Sequence, residues 1–276
     1  MLRWIMRCCD RALRRRRPIH GAHVLARTIQ QAAKVVVLLL AGAMVWPAVA
    51  GETTTEEVRA VLRDAAGEPA NLSGMDLSGL NLSGMDLRGV NLQGAVLKGA
   101  DLSGADLSGS NLDVAIMRGA NLKNAKLRNV SAHSTVLAEA DLRGADLSGA
   151  LLVGNLEYAQ LDGADLTAAR LGADMRNQPM GLMRVSLRKA SLRGAILDGA
   201  DLSRGMLEFA DFSGASLRGA NLLRAEAGGA NFSGADLAGA NLGMADINSA
   251  RFAKIKGGDA IIGLDTAINA DTAQFD

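Results

Sequence analysis

The chain has 276 residues, with 30 Lys and Arg against 29 Asp and Glu for a formal net charge of +1. Residues 1–50 hold nine of the basic residues and one Asp, so the remainder carries −7 and is moderately acidic. That remainder has no Cys and no Trp, one Tyr (Tyr158) and one His (His133), which suits an oxidising compartment and excludes disulfides and thiolate metal sites.

Val35 to Ala50 is a run of 16 apolar or small residues after Lys34, short of the ~20 that a spanning helix needs. Ala48 and Ala50 before Gly51 give the small-x-small form of a signal-peptidase site. Residues 1–50 therefore read as a cleaved secretory signal, with a membrane anchor over 35–50 as the alternative, and the protein as periplasmic or secreted. The 34 residues ahead of the run are long for a leader, which points to translation starting near Val24 or Leu25. Arg14 to Arg17 in front of an apolar segment orient insertion instead of binding nucleic acid, and Cys8 and Cys9 lie too far upstream for lipid attachment.

Residues 51–69 read as an amino-terminal cap and linker. Thr54 and Glu57 have capping-box spacing, Val58, Val61, Leu62 and Ala65 form one apolar face, and Gly67 suits a helix stop. Such a helix covers strand edges that would otherwise template stacking with other copies.

From Leu72 to Phe252 a five-residue unit repeats, close to Ala-(Asp/Asn)-Leu-(Ser/Arg)-Gly, and is almost pure over Ala100–Gly109. A period of five fits neither helix nor plain strand, so each unit is a short extended segment followed by a corner. Ala and Leu, two apart, share the inward side, while Asp101, Asp106, Asn111 or Asn121 between them points outward. Gly74, Gly79, Gly84, Gly89 and Gly94 supply the positive φ of a type II turn. This pattern resembles the pentapeptide-repeat family, A(D/N)LXX, over about two thirds of the chain. The resemblance implies an all-β solenoid: a right-handed quadrilateral β-helix with four pentapeptides per coil. Over 70–253 the spacing counts 37 leucine slots, a little over nine coils, and a rod about 45 Å long at ~4.8 Å per coil.

The spacing breaks in the middle. It drops to four at Leu152–Leu156 and at Leu171–Met175 and stretches to seven at Met175–Leu182, which cancel and leave one rod with a distorted coil. Within 172–181, Pro179 cannot donate a ladder hydrogen bond and an outward bulge is expected, either a recognition feature or a plain surface loop.

Residues twenty apart stack. Phe212, Phe232 and Phe252 form a core aromatic ladder. Val96, Ile116 and Val136 take the outward slot and make an apolar stripe flanked by Lys98 and Arg118. It reads as a partner or self-association surface, or as β-branched residues that a strand tolerates well. Residues 254–276 leave the repeat and read as a carboxy-terminal cap, or as an end that pairs two molecules, as the resemblance allows.

No catalytic, cofactor or metal site is expected. His133 reads as a lone surface histidine beside the undersized core residue Ala132, Asp141 and Asp146 fall on successive sides, and every glycine is explained by turns. The favoured function is a non-catalytic structural or protein-interaction scaffold with an unidentified protein or envelope partner, and no nucleic acid. The alternative is the DNA mimicry of a topoisomerase-binding protein, an activity of some members of the family resembled. Seventeen basic and nineteen acidic residues between Asn71 and Ala253, a net of −2, weigh against it.

Overall fold

The computed structural model describes residues 53–65, 68–173 and 183–276. The leader with Ala48, Ala50 and Gly51, the stop at Gly67, and most of the 172–181 bulge lie outside the described residues.

Helix α1 spans Thr55–Asp64. Its first turn is closed reciprocally: Thr54 Oγ1 accepts the Glu57 N–H at 3.2 Å, and Glu57 Oε2 accepts the Thr54 N–H at 2.8 Å. Glu56 and Glu57 also sit at the positive end of the helix dipole. Val58 is fully buried, Val61, Leu62 and Ala65 pack partly against the core, and the Thr55 hydroxyl donates to the Asn81 carbonyl of the first coil. Among the described residues no helix is long and apolar enough to cross a membrane.

Four sides follow in chain order, begun by Asn71, Asp76, Asn81 and Asp86, and each pairs in parallel with the residue twenty further on. Three backbone bonds join successive coils on each side. On the first, Leu72 N–H reaches Asn91 O at 2.8 Å, Gly74 N–H reaches Gln93 O at 2.9 Å, and Asn91 N–H returns to Ala70 O at 2.9 Å. The corner closes when Met75 N–H meets Leu72 O at 3.3 Å, with Gly74 at φ +68° as a type II turn requires. The Asp or Asn preference follows from the same corner. Asn71 Oδ1 accepts the Ser73 N–H at 3.1 Å and Asp101 Oδ1 the Ser103 N–H at 3.0 Å, satisfying a turn donor that the ladder does not use. Inside, the Leu and Ala slots are almost all fully buried, so a Leu→Ala change in mid-rod costs about 2–5 kcal/mol.

The aromatic column stacks as its spacing predicts. Phe212–Phe232 and Phe232–Phe252 centroids are 5.0 Å apart, and Phe275 extends the stack at 4.8 Å.

The ladder is continuous from Asn71 to Gln274, so the described repeats form one stack. Its register in the middle differs from the spacing count. The drop to four at Leu152–Leu156 is real, since Asp141 pairs with Gln160 and Asp146 with Asp165. Beyond it Asn155 pairs with Ser186 and Arg170 with Asp201, so Leu187 is the leucine slot after Leu171. Met175 and Leu182 lie outside the described residues, among which there are 35 slots where the spacing counts 37. A longer connection between two sides costs little closure entropy, so the ladder can resume at Ser186 in full register.

Ahead of this point the corner between the first and second sides straightens into strands β1 (Ser131–Val136) and β2 (Leu151–Asn155), paired in parallel with a bulge between His133 and Thr135. A Cβ on Gly154 would lie 2.2 Å from the Thr135 carbonyl oxygen, so only glycine fits there. Ala132 leaves the core short of volume, and Val130 and Thr135 enlarge the flanking alanine slots; the buried Thr135 hydroxyl donates to Leu112 O at 2.8 Å.

Residues 254–276 do not leave the stack. Lys256, Ile262, Ile268 and Gln274 bridge to Asp236, Asn241, Asp246 and Arg251, forming a last coil whose sides have six residues instead of five. The extra residue is absorbed by 3₁₀ turns at Gly258–Ala260, Leu264–Thr266 and Ala270–Thr272, each entered through a left-handed residue: Gly257, Gly263 and Asn269.

Candidate interaction surface

Sides three and four keep their outward charges largely balanced by ion pairs such as Arg143–Asp141, Arg193–Asp162 and Arg218–Asp236. Side two departs from the pattern along most of its length. Its early coils carry the apolar stripe: Val96 bridges to Ile116 and Ile116 to Val136, all half-buried. Lys98 and Arg118 lie on the same side, and Arg118 Nη1 is 2.5 Å from Glu139 Oε1 of the next coil. The structure adds Val114 at the edge, 49% exposed and at φ 54° in the turn slot that most corners fill with glycine. A β-branched residue is a genuine outlier there.

Past Leu156 the glycine slot of side two holds Tyr158, Lys189 and Phe209 in successive coils, at φ 61°, 57° and 60°. Tyr158 is 53% and Phe209 65% exposed. The Lys189 Nζ lies 5.3 Å from the Tyr158 ring centroid and donates to its hydroxyl at 3.2 Å. Phe209 lies over Gly229, where an added Cβ would come within 2.6 Å of the ring. Beside this ridge runs a charged lattice. Arg188 grips Glu208 through Nε at 3.0 Å and Nη2 at 2.6 Å, Arg184 Nη1 meets Glu226 Oε1 at 2.5 Å, and Ser186 Oγ donates to Glu157 at 2.9 Å. Burial raises the Glu208 carboxyl, but hydrogen bonds from Arg188 and its own backbone N–H, with the charges of Arg188 and Arg184, together offset it and the net shift is downward. Bidentate pairing of this kind holds side chains in fixed directions. Farther along the side a cleft of ≈ 500 Å³ is lined by Arg224, Glu226, Met244, Asp246 and Ile268.

The twenty-residue spacing brings together the stripe but not the ridge. Its signal stands in the sequence as Leu-Glu-Tyr-Ala, Leu-Arg-Lys-Ala and Leu-Glu-Phe-Ala, where bulky residues fill the glycine slot. Stacking them requires the step from 158 to 189, which only the ladder reveals.

His133 is not alone. Its Nδ1 is 3.5 Å from Asp113 Oδ1, which also accepts the His133 backbone N–H and the Ser131 hydroxyl, at 2.9 and 2.8 Å. The serine is committed to the carboxylate and not to the imidazole, so these three groups do not form a nucleophile–base relay. Among the described residues no three His, Cys, Asp or Glu are placed to hold a metal ion.

A family model of pentapeptide repeats matches the chain in 8 copies, over residues 68–104, 76–113, 115–154, 136–177, 182–219 and 215–252. Among solved structures the chain is similar to HetL, a pentapeptide repeat protein involved in heterocyst differentiation regulation from the cyanobacterium Nostoc sp. strain PCC 7120. The identity is 30% over 80% of this chain and 94% of that one, with a TM-score of 0.32. It is also similar to full-length QnrB1, a plasmid-mediated fluoroquinolone resistance protein, at 22% identity over 73% and 93% with a TM-score of 0.30. A pentapeptide repeat protein of the Arabidopsis thaliana thylakoid lumen matches at 23% identity over 53% and 67%, with a TM-score of 0.14. No curated protein sequence matches.

Proposed function

Because this chain belongs to the pentapeptide-repeat family, whose fold is the right-handed quadrilateral β-helix, we infer that it is an exported, non-catalytic scaffold that binds a protein partner through side two. The observation that carries the reading is the ridge of Tyr158, Lys189 and Phe209. Each replaces the glycine that the corner prefers, and a left-handed backbone costs a non-glycine residue about 1–2 kcal/mol. The two rings gain little burial in return, being more than half exposed. Exposed aromatics beside a pre-ordered arginine are the residue types that anchor protein interfaces. Mimicry of DNA finds no support in the outward charges, since Lys126, Arg128 and Arg218 sit against Asp106, Asp146 and Asp236 and break the negative columns. Export rests on the apolar run Val35–Ala50 and the Ala48–Ala50 site.

The test is co-purification from the native host after reversible crosslinking. Tyr158→Ala with Phe209→Ala should lose a protein that the wild-type chain retains. Retention unchanged in the double variant, with the fold intact by circular dichroism, would place the partner elsewhere on the chain.

A further inference from the structure

We propose that the stripe on side two is a self-association surface, on which a second copy of this chain lies antiparallel about a two-fold axis running along Val114, Ile116 and Arg118. This is separate from the ridge and goes beyond the partner reading. The register of the coils determines what such an axis brings together. It reverses the order of coils while keeping position along the strand, so Val96 faces Val136 of the second copy, and Ile116 and Val114 each face their own counterparts. An apolar line thus meets itself, including the 49% exposed, left-handed Val114.

The charges fit the same operation. Arg118 lies on the axis, where two like charges would repel. Glu139 begins one coil away but reaches back to Arg118 at 2.5 Å, so its carboxylate also lies near the axis. Two arginines and two glutamates then alternate around the dyad, each Arg118 bonded within its own chain and facing Glu139 of the other. Both groups are half exposed and free to share a second partner. Gly99, with nothing within 4 Å of where its Cβ would stand, leaves room opposite the Glu139 backbone of the second copy. An isologous contact of this kind closes at two copies and does not propagate.

The area limits the affinity. Five coils span about 24 Å, and a side is roughly 12 Å wide with its side chains, so both copies together bury roughly 600 Å². That lies below the ~1,200 Å² of stable complexes, and the dimer is therefore a weak one that forms at high micromolar concentration.

The experiment is sedimentation velocity on the full chain from low to high micromolar concentration, with Arg118→Glu and Glu139→Arg prepared separately. Wild type should dimerise. Arg118→Glu puts four acids at the dyad and Glu139→Arg four bases, so each alone should stay monomeric, while an equimolar mixture should recover a heterodimer at wild-type concentration or below. Recovery on mixing also shows that both variants are folded. A wild type that remains monomeric throughout, association undiminished in both variants, or a mixture that does not associate would each overturn the proposal. Monomeric wild type that still loses its captured partner in the Tyr158→Ala, Phe209→Ala variant would overturn the dimer and leave the partner reading standing.

Discussion

Phe209→Gly separates a residue kept for binding from one kept for folding. Phe209 sits at φ 60° in a slot where most corners hold glycine, and it is 65% exposed. Glycine removes the left-handed cost of about 1–2 kcal/mol and adds unfolded-chain entropy that offsets about 0.4–1 kcal/mol of it. The ring also covers Gly229, a contact worth a few tenths of a kcal/mol at such exposure. The balance is between zero and about 1 kcal/mol of stabilisation, a rise in Tm of at most about 4 °C for a domain of this size. Urea denaturation followed by circular dichroism measures it, and crosslinked co-purification on the same preparation should show partner capture reduced. A loss of more than about 1 kcal/mol would instead make Phe209 a structural cover for Gly229.

The remaining predictions concern the rod itself. Ser110 occupies an alanine slot, 1% exposed, and its hydroxyl meets no hydrogen-bond partner among the described residues. Ser110→Ala should therefore stabilise by about 1 kcal/mol in urea titration, and a loss would reveal a partner for that hydroxyl. Gly154→Ala would drive a Cβ to 2.2 Å from the Thr135 carbonyl oxygen, so a loss of about 2 kcal/mol or more is expected, read as early melting or insolubility. Hydrogen bonding from Arg88 lowers the Asp86 carboxyl from 3.8 to about 2. A carboxyl depressed on folding adds stability that is fully present above the unfolded value near 4 and is lost as pH falls through 2. Arg88→Ala should accordingly narrow the stability difference between pH 5 and pH 2, measured by thermal melts; an unchanged difference would count against the pair.

Much of the rod is legible in the sequence because its physics is local and periodic. Ala and Leu two apart define the interior, Asp or Asn caps its own corner, and glycine marks the turn, so columns twenty apart such as Phe212–Phe252 and Val96–Val136 can be written down directly. The pattern fails where periodicity does. Met175 and Leu182 look like slots by residue type, yet the backbone ladder passes from Leu171 to Leu187, and hydrophobicity alone cannot say where the ladder resumes. That error hides the ridge, because Tyr158 and Lys189 become neighbours only across a step of 31 residues. The last coil is missed for a related reason: Ile262 and Ile268 repeat with a period of six, which a search for fives reads as the end of the stack. Val114 and Phe209 were visible as breaches of the glycine slot, and the cost of a left-handed backbone is what marks them.

The central claim, that side two carries the partner, is tested most directly by placing a photo-crosslinking amino acid at position 209 and, separately, at Ser216 on side four of the same coil, and irradiating living cells of the native host. A discrete crosslinked protein is expected at 209 and none at 216. Crosslinks at 216 with none at 209, or at neither position, would contradict it.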